Sequence, residues 1–156
     1  MRPWVAGLSL WLAGEDAPVR RRALRRLSVR GETADRIRDF SRDRDRRLRR
    51  LRSARGRGAV DGVLAGIDEE SLFALYASAE AKLRSRIERW SAEDRRLRSP
   101  VGGNDLAALG LSGPGLGRAL ARIRAAVLDG AIANREEALA LAREISRRRT
   151  GSRESR

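Results

Sequence analysis

The chain has 156 residues with 41% hydrophobic content, enough for a packed core, and it carries 35 basic against 21 acidic residues for a net charge of +14. Lys82 is the sole lysine, so the positive charge is almost wholly arginine. Cysteine and histidine are absent, which excludes disulfides, thiolate metal sites, and the commonest general base and nucleophile activator.

β-branched and aromatic residues are scarce while alanine, leucine and arginine abound, so the expected fold is all-α, with about seven or eight helices. The apolar stretch Pro3–Gly14 is too short to cross a bilayer, which takes about 20 apolar residues, and has no clean cleavage site. It reads as a buried helix with Trp4, Leu8 and Trp11 as its inward stripe, in a cytoplasmic protein. Val19, Ala23, Leu24 and Leu27 form a second stripe ending before Gly31. Ile37, Phe40, Leu48 and Leu51 lie on a third, long helix, with Arg44 where an apolar residue is expected. Gly56 to Gly66 reads as a glycine-rich connector. Asp68 then caps a helix with Glu69 and Glu70 in its first turn and Leu72, Phe73 and Tyr76 along it. Leu83, Ile87, Trp90 and Leu97 continue the stripe to a stop at Pro100.

Beyond Pro100, Asn104–Leu109 reads as a short helix closed by Gly110. Residues 113–117, Gly-Pro-Gly-Leu-Gly, open a helix with Leu116, Leu120, Ile123 and Val127 in register, ended by Asp129-Gly130. Asn134 and Glu137 form a capping box for the last helix. The expected division is an N-terminal helical part over 1–55, a C-terminal part over 67–148, and a disordered basic tail over 149–156.

The excess of arginine makes a polyanion the expected partner, nucleic acid before an anionic membrane. Nine arginines lie between Arg36 and Arg52 against Asp39, Asp43 and Asp45, and Arg44 and Arg47 are candidate phosphate contacts on that helix. The opposing reading is a solvated face laced with ion pairs. Asp43-Arg44-Asp45 imitates a metal-binding D-x-D, but residues two apart on a helix point about 200° apart and share no ion. The glycine turn is the best local site: Gly113, Gly115 and Gly117 expose backbone N–H groups at a helix start, with Arg118 and Arg122 one turn apart beside it. The alternative is that the glycines serve close helix packing. The aromatics at helical spacing read as core, with Trp90, flanked by Arg89, Arg95 and Arg96, as the candidate for stacking on a base.

The run Pro100-Val101-Gly102-Gly103-Asn104-Asp105-Leu106, then Gly110, Gly113-Pro114-Gly115-Leu116-Gly117, Leu128-Asp129-Gly130 and Asn134 resembles the C-terminal signature of the bacterial tRNA nucleotidyltransferase and poly(A) polymerase family, the CCA-adding enzymes. The resemblance covers about 50 residues, Pro100 to Arg148, with a similar helical pattern but no motif upstream. It implies the helical body and tail that hold the acceptor and T arm of tRNA. The catalytic head, with its Gly-Ser strand, its D-x-D and its further motifs, has no counterpart here; Arg38-Asp39-Phe40-Ser41 echoes one motif inside a helix. Mg2+ and nucleoside triphosphates would belong to that head, so no cofactor and no catalytic residue are expected in this chain. The expected function is RNA binding, with tRNA or another structured RNA as partner and a separate catalytic head chain as a second one. The alternatives are an assembly subunit of a split nucleotidyltransferase and a helix-hairpin-helix DNA-binding protein.

Overall fold

The computed structural model describes residues 1–154, with side chains described through Arg148. The described residues form nine α-helices and no strand, in agreement with the all-α expectation: α1 Pro3–Leu12, α2 Ala17–Arg26, α3 Gly31–Ser53, α4 Gly56–Leu64, α5 Glu69–Ser78, α6 Ala81–Ala92, α7 Gly103–Ala107, α8 Gly113–Leu128 and α9 Arg135–Glu154. A 3-10 turn, Asp94–Arg96, follows α6. No helix among the described residues is long and apolar enough to cross a membrane. The expected tail over 149–156 lies outside the described residues, apart from the backbone of 149–154 at the end of α9.

The helices form two compact units, and the division does not follow the composition of the chain. Unit 1 is 1–54 with 63–89, and unit 2 is 55–62 with 90–156. The glycine-rich segment expected as a connector is helix α4. Glycine costs about 1 kcal/mol per residue in a helix, but Val60, Val63 and Leu64 are buried, and burial outweighs intrinsic propensity in a short helix.

In unit 1, α1 packs against α3 and α5, and its Val5 and Leu12 join Leu24, Ala34 and Ile37 in one buried cluster. The buried face of α1 is Val5, Ala6, Ser9 and Leu12, with Val5, Ser9 and Leu12 at i, i+4 and i+7. That choice turns the other stripe away from the core: Trp4 is 54% and Trp11 68% exposed, which corrects the expectation that both are core. Charge ties the same helices together. Glu70, buried on α5, accepts from the Arg2 backbone N–H at 3.0 Å, from Arg2 Nε at 3.3 Å and from Arg36 Nη1 at 3.0 Å. The Arg2 backbone N–H, the carboxylate's own backbone N–H and the Arg2 side chain hold the Glu70 pKa down at about 2. Arg20 closes the end of α1, donating to the carbonyls of Leu12 at 3.3 Å and Glu15 at 2.5 Å.

Unit 2 has a core of Val101, Leu106, Leu111, Ala119, Ile123, Ile132, Ala138 and Ala142, so the whole 100–142 region closes on itself. Its local punctuation follows the sequence: Gly110 at φ +78° and Gly130 at φ +75° end α7 and α8 in the left-handed region that glycine tolerates. Asn134 Oδ1 accepts the Glu137 N–H at 3.0 Å and Glu137 Oε2 accepts the Ala133 N–H at 2.7 Å. Asp105 has a structural task, accepting the Gly102 N–H at 2.8 Å and pairing with Arg135 at 2.6 Å.

A buried polar network fixes the rest of unit 2. Asp61 accepts from Trp90 Nε1 at 2.8 Å and from Arg124 Nε and Nη2 at 2.8 and 3.0 Å. Arg124 also donates to the carbonyls of Leu97 at 2.6 Å and Asp94 at 2.8 Å. Arg57 donates to Asp94 Oδ1, whose second oxygen is buried without a partner. Gly58 is required here: a Cβ on it would stand 2.7 Å from the backbone of Ala125, and its N–H reaches Asp129 Oδ1 at 2.9 Å.

Candidate nucleic-acid interface

The glycine turn opens α8 in unit 2. Ser112 stands at the N-cap but its side chain makes no cap bond, and Pro114 in the first turn has no N–H to satisfy. Gly113 has φ +53°, a conformation that selects glycine by itself. A Cβ at Gly113 or Gly117 would meet nothing within 4 Å, so close helix packing does not account for those two glycines. Gly115 is buried. The open side of this turn therefore has a bare backbone and a helix N-terminus, the arrangement that attracts an anion.

Arg118 and Arg122 follow on α8, both exposed, and neither has a carboxylate partner among the described residues. They stand one turn apart, with Cβ atoms about 5–6 Å from each other by helix geometry. Arg124, on the same helix, points into the polar network instead. Helix α8 thus sorts its arginines: one enters the buried network and two are left to solvent.

Arg95 and Arg96 sit on the 3-10 turn of unit 2. Arg95 lies over the ring of Trp90, 5.7 Å from its centroid, which occupies the guanidinium with an indole of its own chain. Trp90 is 2% exposed with its N–H on Asp61, so it is the core residue that its place on the apolar stripe predicts, and the alternative that it stacks on a base is set aside. Arg96 is exposed.

Arg44 and Arg47 belong to unit 1, and both are engaged. Arg44 Nε pairs with Asp45 Oδ1 at 2.8 Å, holding the Asp45 carboxyl below its usual range. Arg47 Nη1 donates to the Val63 carbonyl at 2.7 Å. Along the same helix Arg42 pairs with Asp39 at 2.9 Å, Arg46 with Asp43 at 2.9 Å, and Arg36 with Glu32 at 2.7 Å. The ion-paired reading of α3 accounts for these side chains. Asp43 and Asp45 each face an arginine.

The arginines that sequence reasoning passed over are on α2. Its ten residues carry Arg20, Arg21, Arg22, Arg25 and Arg26 and no acid. All but Arg20 are exposed, and none of those four has an ion-pair partner among the described residues. The signal was present: five arginines in one helix cannot be neutralised locally when the helix contains no carboxylate. Reading α2 for its apolar stripe alone hid it.

No family profile, curated protein or solved structure matches the chain.

Proposed function

We propose that the chain is an RNA-binding module that grips the phosphate backbone of a structured RNA, tRNA first among candidates. The observation that carries the reading is the pair Arg118 and Arg122, exposed and without carboxylate partners, beside the uncapped glycine turn of α8. Helical RNA is held mainly through its shape and backbone, which suits arginine forks and helix N-termini better than base-reading loops. The net charge of +14 supplies the long-range attraction. The resemblance of Pro100–Arg148 to the tail of tRNA nucleotidyltransferases supports tRNA as the ligand. On this reading the chain contributes grip, and a separate catalytic head would contribute chemistry.

The test is binding of the purified chain to labelled tRNA and to duplex DNA of equal charge across a salt series. Tighter binding to tRNA that survives moderate salt is the expected outcome; equal, salt-fragile binding to both would reduce the interaction to net charge. Arg118→Ala with Arg122→Ala should weaken tRNA binding about tenfold and flatten the log–log salt slope by roughly 1.4 to 1.8, with unchanged helical content. An unchanged affinity in that double variant overturns the reading.

A further inference from the structure

Unit 1 carries a surface that the α8 site leaves unexplained. Trp4 and Trp11 on α1 stand out from the core, with Leu27 53% and Val19 48% exposed beside them. Two grooves adjoin there. One, of about 430 Å³, runs past Trp4, Gly7, Leu8 and Trp11 to Leu27 and Val29. The other, of about 260 Å³, continues from Trp11 and Leu27 to Val19, with Arg22 and Arg26 on its rim. The grooves share Trp11 and Leu27, so the aromatic floor and the cationic rim form one continuous face. At Gly7 a Cβ would meet nothing within 4 Å, which leaves the floor open between the two indoles.

We propose that this face binds unpaired nucleotides of an RNA strand, with Trp4 and Trp11 stacking on bases and Arg22 and Arg26 meeting the phosphates. The proposal rests on the reading above only for the class of ligand; the surface is a different one, in the other unit. Trp4 and Trp11 are seven residues apart, about 10 Å along the helix, roughly the rise of three stacked nucleotides at 3.4 Å each. Arg22 and Arg26 are one helical turn apart and have no ion partner among the described residues. No carboxylate lines either groove. Aromatic faces beside uncompensated cations suit a single strand, because every base has a face to stack and every nucleotide a charge to neutralise. A helix that lies on an anionic membrane carries its cations on its own polar face, whereas α1 has no charged residue and the cationic rim belongs to α2. An acidic amphipathic helix would satisfy the rim but has no use for two separate indole faces.

The experiment titrates the full chain with a labelled 12-nucleotide oligo(U), which forms no duplex, and reads affinity by anisotropy. A labelled RNA hairpin is titrated in parallel. Trp4→Ala with Trp11→Ala should weaken oligo(U) binding at least tenfold, and Trp4→Phe with Trp11→Phe should restore most of it. Arg22→Glu with Arg26→Glu should weaken it at least fivefold. Arg118→Ala with Arg122→Ala should leave oligo(U) binding within about twofold while weakening the hairpin, so the two readings fail separately. Far-UV circular dichroism should be the same for all variants, since the substituted side chains are exposed. Oligo(U) affinity indifferent to the tryptophans overturns the proposal. So does indole quenching in the wild-type chain by phosphatidylglycerol vesicles, or by a glutamate-rimmed amphipathic peptide, with none by oligo(U).

Discussion

Asp61→Ala removes an acceptor of three hydrogen bonds and leaves the donors where they are. Trp90, 2% exposed, would keep a buried indole N–H with no partner, a loss of about 1–3 kcal/mol. Arg124 would stay anchored by its bonds to the Leu97 and Asp94 carbonyls, so its charge would remain in place without the carboxylate. Breaking a buried ion pair from one side costs about 3–5 kcal/mol, and the 25% exposure of the Arg124 side chain points to the lower end of that range. A loss of about 3 kcal/mol is a large share of the 5–15 kcal/mol typical of a native protein. At about 2–4 °C per kcal/mol for a chain of this length, the melting midpoint should fall by roughly 6–12 °C. Urea and thermal melts followed by far-UV circular dichroism measure both quantities. Asp61→Asn keeps an oxygen for the indole and loses the charge, so its effect should fall between wild type and alanine. A loss under about 1 kcal/mol for Asp61→Ala would refute the claim that this network holds unit 2 together.

Two other features lead to measurements of the same kind. The Glu70 carboxyl is held at about 2 in the fold against an ordinary value near 4.5, so the stability it confers is complete above about pH 4.5 and is lost as the pH falls toward 2. Melting midpoints taken from pH 5 to 2 should therefore drop less steeply in Glu70→Gln than in wild type, and parallel curves would count against the assignment. Gly58→Ala places a methyl 2.7 Å from Ala125 backbone atoms and should destabilise the chain by about 1–3 kcal/mol in a urea melt. Adding Ala125→Gly should restore only part of that loss, because the Cα and carbonyl of residue 125 remain in the way; full rescue would mean that the clash is with the side chain alone.

What was legible in the sequence was local. Asp68 accepting the Ser71 N–H at 3.0 Å, the Asn134–Glu137 cap and the glycines that end α7 and α8 each depend on neighbours within four or five positions, so residue type was enough. Helix type was legible for the same reason. The rotation of a helix about its axis was not. On α1, tryptophan and valine stripes compete, and the choice of Val5, Ser9 and Leu12 is made by α3 and α5, far away in sequence. The fate of the arginines was hidden in the same way. Arg36 meets Glu70 across 34 positions and Arg124 meets Asp61 across 63, whereas the exposed set on α2 is defined by carboxylates that never arrive. The α8 turn was legible as a conformational demand, and Gly113 meets it with a left-handed φ.

The interleaving of the two units in the chain has a consequence for synthesis. Residues 55–62 serve unit 2 but leave the ribosome before 63–89, which complete unit 1. Unit 1 has all its segments once residue 89 has emerged, while the early contribution to unit 2 must wait for Trp90 and everything after it. Domains emerging from the ribosome tend to fold N-terminal part first, so the nascent chain passes through a stage in which Asp61 is already made and its partners Trp90 and Arg124 are not. No single proteolytic cut separates the units either, because any cut within 55–89 divides both of them.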